Sequence, residues 1–542
     1  MTSAAASWWL LGVVLPAWNT PHTSIEGVVH ARSALSPQPA LARRATLLVV
    51  DGLSFEHAAG LDELARLRDE GATRPLIAHF PTYTGPNITA MLTGLAPRES
   101  GVRLNGVGQG VRGIDAATYC AWDAGVFLRI RGRTYRPFSD LARPPRQADV
   151  KLGRYQPLFD WELDRARPTP SAPDGKATLL ELLYFGDVDE TAHDHGTRSS
   201  AYREAEARAG RFVQRVMAEL DPARDVLFVA SDHAHRPSGG HGGVEPGIER
   251  GFFGAWGRGV RRGARLEARP MRDLAATLTL TVGAKTPSSN QGWPMLDVFE
   301  LELADRARLS NEPFDQATRF GCAARETPSC AEVEGLRAAL ARGESADLAL
   351  ALVGRLADER DAAAEAEEGG RVAPRVLVGA AFGAGLTALA AQRGFGRPAR
   401  WTGWLAPCAL VASFCLALAL IGYRPTLSTM TPIPVFAVDA TIAGAAAAMA
   451  TFLLSLRMEW GLREAALLPV MTFAALAPLW AVVAADPRAL APAVPSALVF
   501  MLSPAVPAAG VAAIALAVRA ALRAARREER PVAGPAQSLR DV

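Results

Sequence analysis

Lysine is almost missing from this sequence: three lysines accompany 55 arginines among 542 residues. The skew is typical of codon bias in an alanine-rich chain and carries no functional argument. The formal net charge is only +3, so the total charge predicts no nucleic-acid partner. Cysteine is also scarce, and none of the five cysteines belongs to a CxxC pair, which excludes a zinc-ribbon site.

Long apolar runs are concentrated in the last third of the chain. Five runs follow one another, each near the roughly 20 residues that a helix needs to cross a hydrocarbon core. They cover residues 374–391, 401–422, 433–456, 464–485 and 491–518. Buried helices of a large soluble domain are the alternative, but five successive runs with few charges are rare in soluble cores. The pattern therefore predicts a C-terminal transmembrane bundle.

The arginines between these runs predict an orientation. Ten of them fall in the first loop, the third loop and the tail, against two in the other loops, Arg424 and Arg488. The positive-inside rule then places the tail in the cytoplasm and everything before residue 374 on the other side, periplasmic or luminal. The apolar N-terminal stretch AAASWWLLGVVLPAW is either a clipped signal-anchor or an interfacial segment.

The region between these apolar ends has the pattern of an α/β domain. The segments TLLVV (46–50), LLELLYF (179–185) and DVLFVA (225–230) are short, apolar and bounded by turn residues, as buried parallel strands are. A helical apolar pattern follows the second segment, from Tyr202 to Leu220. Strands alternating with helices predict a mostly parallel sheet between helices. Residues 301–373 show no strand pattern and predict a helical stalk, in which Cys322 and Cys330 are either paired or two free thiols.

Acids and histidines follow each of the three predicted strands. The carboxyl ends of parallel strands form the ligand-binding edge of an open α/β sheet, so these side chains are expected to meet there. The candidates are Asp51, Asp189, His193, Asp232, His233 and His241. Six such oxygen and imidazole ligands suffice for two divalent metal ions, with zinc expected and manganese as the alternative. Asp194, His195 and His235 adjoin them as candidates for supporting or substrate contacts, or as solvated residues.

The stretch FPTYTGPNITAMLTG (80–94) combines turn residues with the beginning of a helical pattern. Turn punctuation by proline and glycine is one interpretation. The other is a hydroxyl held at a helix N-terminus, where backbone N–H groups and the helix dipole favour phosphate oxygens. The metal-type ligands that the three strand ends provide favour the second interpretation.

The order Asp-Gly after a strand, then PTYTGPNITAMLTGLAPRESGVRLN, DETAHDHG and SDHAHRPSGGHGG, resembles the alkaline phosphatase superfamily. The most similar branch is the type I phosphodiesterases/nucleotide pyrophosphatases, and the resemblance covers roughly residues 45–300. It implies that Thr84 is the nucleophile and that Asn87 holds a phosphoryl oxygen. It also implies two metal sites, one of Asp51, Thr84, Asp232 and His233, the other of Asp189, His193 and His241.

The membrane half adds a second resemblance, to the ethanolamine phosphate transferases that modify glycosylphosphatidylinositol lipids. It implies transfer of a phosphoethanolamine-like group through a phospho-threonine, with a phospholipid or glycolipid as substrate. Hydrolysis of phosphodiesters is the alternative, because the ligands are the same for both reactions. A sulfatase normally needs a converted Cys or Ser where Thr84 stands, and a catalytically dead membrane protein is disfavoured because every proposed ligand is present.

The expected organisation therefore has five parts. They are an N-terminal apolar segment and linker (1–44), a catalytic domain (45–300), a helical stalk (301–373), five transmembrane helices (374–520) and an arginine-rich tail (521–542). Residues 113–175 match no pattern and are a candidate for substrate selectivity. Nothing in the sequence predicts the oligomeric state.

The orientation can be tested with a reporter protein fused after Val542. Five spans are an odd number, so the catalytic domain and the tail are expected on opposite sides of the membrane. A fluorescent reporter that folds only in the cytoplasm should be active there, and an alkaline phosphatase reporter at the same position should be inactive. The opposite pair of results would show that the number of spans or the side of the loops is wrong.

Overall fold

The computed structural model describes residues 39–105, 115–131, 155–158, 178–288, 290–324, 328–392, 405–458, 460, 462–484 and 501–528. The apolar N-terminal stretch lies outside these residues, as do most of 113–175 and the predicted first and fourth loops of the bundle. The described residues form a mixed α/β domain followed by a series of long helices.

The domain is built on a nine-stranded sheet. Its strands are β1 Arg44–Val50, β2 Ala72–Ile77, β3 Phe127–Arg131, β4 Tyr155–Leu158, β5 Leu179–Phe185, β6 Asp225–Ala230, β7 Arg250–Gly257, β8 Ala264–Arg265 and β9 Arg269–Pro270. The spatial order is β4-β3-β5-β1-β6-β7-β2-β8, with β9 also paired to β2. All three strands expected from the sequence are present, with β1 starting two residues before the predicted segment.

The strand directions make the sheet mostly parallel. Strand β1 pairs in parallel with β5 on one side and β6 on the other, and β3 pairs in parallel with both β4 and β5. Strand β7 runs antiparallel to both β6 and β2. It therefore separates β2 from the strands whose ends bear the predicted metal ligands.

Helices cover both faces of the sheet, which is why its central strands are continuously apolar. Leu47 and Val49 of β1 face one helical layer, and Leu48 and Val50 face the other. The first layer contains α3 Thr84–Thr93, α5 Ala117–Asp123 and α8 Asp273–Thr281; the second contains α1 Phe55–Gly60, α2 Ala65–Glu70, α6 Asp187–His195 and α7 Ser200–Glu219. Helix α4, Pro97–Ser100, follows α3 directly.

One charged residue lies inside an otherwise apolar strand. Glu181, in the middle of β5, is completely buried and receives a hydrogen bond from Arg44 of the adjacent β1. The hydroxyl of Thr46 donates to the same carboxylate at 3.2 Å. A buried carboxylate is tolerated only when it is paired and hydrogen-bonded, and both conditions are met here.

Three helices follow the sheet domain, where the sequence predicts a helical stalk. They are α9 Leu303–Ala324, α10 Val333–Ala341 and α11 Ala346–Gln392, and their apolar faces form a common core with Trp293 of the sheet domain. Cys322 and Cys330 form a disulfide. The structure therefore selects the paired alternative, and Cys120, Cys408 and Cys415 remain as free thiols.

The remaining helices coincide with the predicted apolar runs. They are α12 Leu405–Ile421, α13 Ile433–Met458, α14 Leu462–Ala484 and α15 Ala505–Glu528. Among the described residues, Ile433–Met458 and Ala505–Arg526 are long and apolar enough to cross a membrane, whereas Leu405–Ile421 and Ala465–Ala474 are apolar but shorter. Helix α11 runs without interruption past residue 374, the predicted start of the first span. The C-terminal region thus contains helices that could span a membrane, while five spans and their direction stay predictions.

Candidate active site

The sheet brings all six predicted metal ligands to one place. Asp51 follows β1 directly, and Asp232 and His233 follow β6. Asp189 and His193 stand one turn apart on α6, the helix that follows β5. His241 comes from the glycine-rich loop after β6. Because β5, β1 and β6 are adjacent and parallel, their carboxyl ends form one edge, as the sequence predicts.

The first group of ligands surrounds one histidine nitrogen. His233 Nε2 lies 3.3 Å from Asp51 Oδ1 and 3.4 Å from Asp232 Oδ2. The hydroxyl of Thr84 lies 3.2 Å from the same nitrogen. The ligand atoms of Asp51, Asp232 and His233 converge closely enough to bind one ion, and with Thr84 these are the four residues that the resemblance implies for one site.

The second group surrounds one carboxylate oxygen. Asp189 Oδ1 lies 3.3 Å from both His193 Nε2 and His241 Nε2, and these two nitrogens are 3.2 Å apart. His235 adds a contact that is closer than either, with its Nε2 2.8 Å from Asp189 Oδ1. The side chain of His235 is buried, whereas Asp194 and His195 are exposed. Of the three neighbouring candidates, His235 is the one that joins the ligand cluster.

A backbone carbonyl sets the orientation of His241. Its Nδ1 lies 2.8 Å from the carbonyl oxygen of Thr82, which can only accept a hydrogen bond. The proton of the neutral ring is therefore on Nδ1, and Nε2 presents its lone pair to the cluster. This arrangement is typical of metal-ligating histidines, whose second nitrogen donates to a carbonyl or carboxylate.

Thr84 is the first residue of α3 and is 3% exposed. The hydroxyl therefore sits at the helix N-terminus, where the dipole of the helix favours an anion. Nearby, the side-chain oxygen of Asn105 accepts a hydrogen bond of 2.8 Å from the backbone N–H of Gly85. Asn105 is the last residue of PTYTGPNITAMLTGLAPRESGVRLN. Its distance from Thr84 along the chain gives no sign that the two residues lie close together.

The structure uses Asn87 to fix the turn before the nucleophile. Its side-chain oxygen accepts from the His79 backbone N–H at 2.7 Å. Its amide nitrogen lies 3.0 Å from the Tyr83 carbonyl, 3.2 Å from that of His79 and 3.3 Å from that of Pro81. Loop carbonyls thus accept from the side-chain amide of Asn87. The predicted contact of Asn87 with a phosphoryl oxygen would require one of these hydrogen bonds to break.

Burial and mutual repulsion shift the pKa values of the carboxylates. Burial, followed by the charges of Asp232 and Asp189, raises the pKa of Asp51 well above its usual value. Burial and then the Asp189 charge raise the pKa of Asp232 to about 7. Burial also acts to raise the pKa of Asp189, but hydrogen bonds with His193, His235 and His241 hold it well below the usual range.

The two most buried histidines are held neutral. Burial and then the charge of His241 lower the pKa of His233 well below its usual value. Burial lowers the pKa of His241 to about 4, against the opposing influence of Asp189. Neutral imidazole is the form that binds metal, so near neutral pH both rings are ready to act as ligands.

The unpaired atoms of the site test whether metal ions fit it. Among the described residues, Asp51 Oδ1 and Asp232 Oδ2 are buried without a hydrogen-bond partner, and both face His233. An unpaired buried carboxylate oxygen is costly, and a divalent cation would remove that cost while relieving the repulsion between the acids. The donor set of carboxylates, imidazoles and one hydroxyl fits two ions such as zinc, and the ion type stays a prediction.

A glycine makes the close packing of the two groups possible. Gly52 has a φ of +74°, and a Cβ built on it would lie 2.3 Å from Cε1 of His235. Its backbone N–H donates to Asp232 Oδ1 at 3.2 Å. Any larger residue would both strain this turn and displace His235 from Asp189.

The pKa shift of Asp232 generates a prediction for the metal-stripped, detergent-purified chain. Its folded-state pKa of about 7 exceeds the roughly 3.9 of an unfolded aspartate, so this group stabilises the stripped fold at low pH and loses that contribution as the pH rises to 7. Buffered Zn²⁺ should therefore raise the unfolding temperature more at pH 8 than at pH 5.5, where protons compete for the ligands. Asp232→Asn should reduce both the Zn²⁺ effect and its pH dependence; equal shifts at the two pH values in the unmodified chain would contradict this account.

Comparison with known proteins identifies the domain. Residues 45–115 and 112–244 match the family model of type I phosphodiesterase/nucleotide pyrophosphatase. No curated protein matches the chain in sequence. Among solved structures, human ectonucleotide pyrophosphatase/phosphodiesterase 5 is 13% identical, with a TM-score of 0.38 over 47% of this chain and 100% of that one. A phosphonate monoester hydrolase from Silicibacter pomeroyi is 14% identical, with a TM-score of 0.32 over 46% and 75% of the two chains. The matched residues therefore carry a type I phosphodiesterase/nucleotide pyrophosphatase domain, which identifies the chain as a phosphoryl-transfer enzyme.

Proposed function

We propose that this enzyme transfers a phosphoethanolamine-like group from a phospholipid to a membrane glycolipid. The observation that carries the proposal is the packing of the C-terminal helices against the turn that bears the nucleophile. Tyr83 and Leu104 belong to the same buried apolar cluster as residues of α12, α13 and α15. A catalytic domain that was only tethered to the membrane would not need an apolar cluster shared between its nucleophile turn and the C-terminal helices.

The proposed reaction has two displacements at phosphorus. Thr84 Oγ1 gives up its proton and attacks the phosphorus of the donor. The bond from phosphorus to the diacylglycerol oxygen breaks, that oxygen takes up a proton, and a phosphoethanolamine diester of Thr84 forms. A hydroxyl of the acceptor then attacks the same phosphorus, and the bond to Thr84 breaks. Two divalent ions would supply Lewis acidity and neutralise phosphate charge, held by the two ligand groups described above.

The surroundings of Thr84 suit the first displacement. Its hydroxyl contacts Nε2 of His233, and the lowered pKa of His233 keeps that ring neutral near neutral pH. Thr84 stands at the N-terminus of α3, where the helix dipole favours the negative charge that develops on the phosphoryl oxygens. The Asn105 amide, fixed by Gly85, is the side chain we assign to an oxygen that is not on a metal ion.

Two contacts support a catalytic domain and a tail on opposite sides of the membrane. At the end of α13 away from the catalytic domain, Arg519 of α15 donates to Ser455 Oγ at 2.6 Å. At the other end, Thr431 donates to the carbonyl oxygen of His241. The catalytic domain and the tail-bearing end of α15 thus lie at opposite ends of a 26-residue helix, about 39 Å long at 1.5 Å per residue. The Cys322–Cys330 disulfide agrees with an oxidising compartment.

The nucleophile is tested by Thr84→Ala. Hydrolysis of bis-p-nitrophenyl phosphate should fall on the order of 10³-fold or more, because no other hydroxyl is at that position. Bound metal, measured by mass spectrometry, should stay near two ions per chain, since Thr84 is one of several ligands. His241→Ala should instead lower the metal content itself. An alanine variant of Thr84 that retains full activity would remove Thr84 from the nucleophile role.

The transfer reaction is tested with the detergent-purified chain and phosphatidylethanolamine carrying isotope-labelled ethanolamine. After incubation with a membrane lipid extract, mass spectrometry should find labelled phosphoethanolamine on a glycolipid and an equal amount of new diacylglycerol. The Thr84→Ala variant, treated identically, should produce neither. Label released only as free phosphoethanolamine would identify the enzyme as a phosphodiesterase that uses water as acceptor.

A further inference from the structure

The loop between α12 and α13, residues 423–432, reaches the catalytic domain beside the metal ligands. We call it the bundle loop. It is held to the bundle by Tyr423, whose hydroxyl donates to Asp439 Oδ2 of α13 at 2.7 Å. Within the loop, Thr429 Oγ1 accepts from the Arg424 N–H at 3.2 Å and lies 2.8 Å from the Arg424 carbonyl. The loop is therefore an ordered extension of the helices.

The bundle loop contacts the segment that carries His241. Thr431 Oγ1 donates to the carbonyl oxygen of His241 at 2.5 Å. The backbone N–H of Gly243 donates to Ser428 Oγ at 2.8 Å. The backbone of the metal ligand is thus held from the bundle side, while its ring is held from the nucleophile side by the Thr82 carbonyl.

A carboxylate completes this contact. Glu245 accepts from Thr426 Oγ1 through one oxygen and from Ser428 Oγ through the other, both at 2.8 Å. Ser428 therefore accepts from Gly243 and donates to Glu245, which uses its hydroxyl in both directions. Charge-assisted bonds of this kind are stronger than neutral ones.

The backbone of the two segments approaches closely enough to require glycine. Gly240 has a φ of +83°, and a Cβ on it would lie 2.2 Å from the carbonyl oxygen of Ser428. A Cβ on Gly243 would lie 2.6 Å from the hydroxyl oxygens of both Ser428 and Thr426. The glycines around His241 therefore make room for the bundle loop, a purpose that the pattern GGHGG does not reveal.

The bundle loop also contacts the nucleophile turn. Leu427 and Met430 pack in one apolar cluster with Tyr83, the residue immediately before Thr84. The Tyr83 ring meets the His241 ring edge-on, with 5.6 Å between the ring centroids. Tyr83 thus joins three parts of the molecule: the nucleophile helix, a metal ligand and the bundle.

From this geometry we propose that the bundle loop is a positioning element of the active site, which makes phosphoryl transfer dependent on the membrane helices. It acts through the main chain of His241 and through Tyr83. The proposal deepens the proposed function, since it gives the bundle a part in the reaction, but it rests only on the metal-dependent cleavage of phosphodiesters.

The decisive comparison is Thr431→Val with Thr431→Ser in the full chain purified in detergent. The valine variant keeps the shape of threonine and loses the bond to the His241 carbonyl, whereas the serine variant keeps the bond. Loss of a residue that orients a metal ligand typically costs about 10- to 100-fold in metal affinity or activity. We expect a loss of this size in Zn²⁺ affinity, measured by competition with a chelator, and in kcat for bis-p-nitrophenyl phosphate.

The serine variant should restore both quantities, which a general loss of stability would not explain. Thr472→Val is the matched control, because its hydroxyl bonds to Leu468 within its own helix α14 at 2.8 Å. It should leave Zn²⁺ affinity and kcat unchanged. If Thr431→Val does not fold, Glu245→Ala removes two other contacts between the bundle loop and the His241 segment, those with Thr426 and Ser428. Glu245 is partly exposed, and its replacement should also weaken Zn²⁺ binding.

The proposal would be overturned if the folded Thr431→Val variant had the same Zn²⁺ affinity and kcat as the unmodified chain. If the valine variant does not fold, the same result for Glu245→Ala would overturn it. The soluble substrate keeps this result separate from the lipid reaction. If the unmodified chain transfers nothing to lipid and Thr431→Val still lowers Zn²⁺ affinity, the transferase function fails and the positioning role stands.

Discussion

Three carboxylates lie close together at one edge of a parallel sheet, and the other groups of the active site must compensate their mutual repulsion. Asp51 and Asp232 are buried and Asp189 partly so, and burial together with the charges of neighbouring carboxylates raises the pKa values of Asp51 and Asp232. His233 and His241 add no positive charge near neutral pH, because burial lowers the pKa values of both rings. A site of this kind is suited to bound cations, and the same cations activate a hydroxyl for attack on phosphate.

The nucleophile Thr84 follows a different strand from those that carry the metal ligands. Strand β2, which leads to the Thr84 turn, is separated from β6 by the antiparallel β7. Its position relative to His233 and His241 therefore depends on the turn itself, which Asn87 ties to three loop carbonyls. The C-terminal helices add to this support through Tyr83, so the turn is fixed both from within and from the bundle.

Much of this arrangement could be predicted from the sequence because it depends on local patterns. Strands buried on both faces are continuously apolar, and acids that follow parallel strands must share an edge, so Asp51, Asp189 and Asp232 could be placed together. His235 could not be assigned with them, because its contact with Asp189 depends on the left-handed turn at Gly52. Asn105 could not be assigned a place beside the nucleophile, because its contact with Gly85 depends on how the chain folds back after α4, and residue spacing in the sequence does not show this. Contacts such as Thr431 with His241 depend on docking between distant segments.

The long separation between the metal ligands and the residues that support them has a consequence for biosynthesis. Thr431 lies 190 positions after His241, so a ribosome completes the catalytic domain well before it makes the loop that docks there. Until α12 and α13 have been synthesised and have packed against the domain, His241 is held only by its bond to the Thr82 carbonyl on the nucleophile side. Assembly of the helices is therefore a late step in the maturation of the active site, and a chain that stalls before it would carry every ligand yet lack this support.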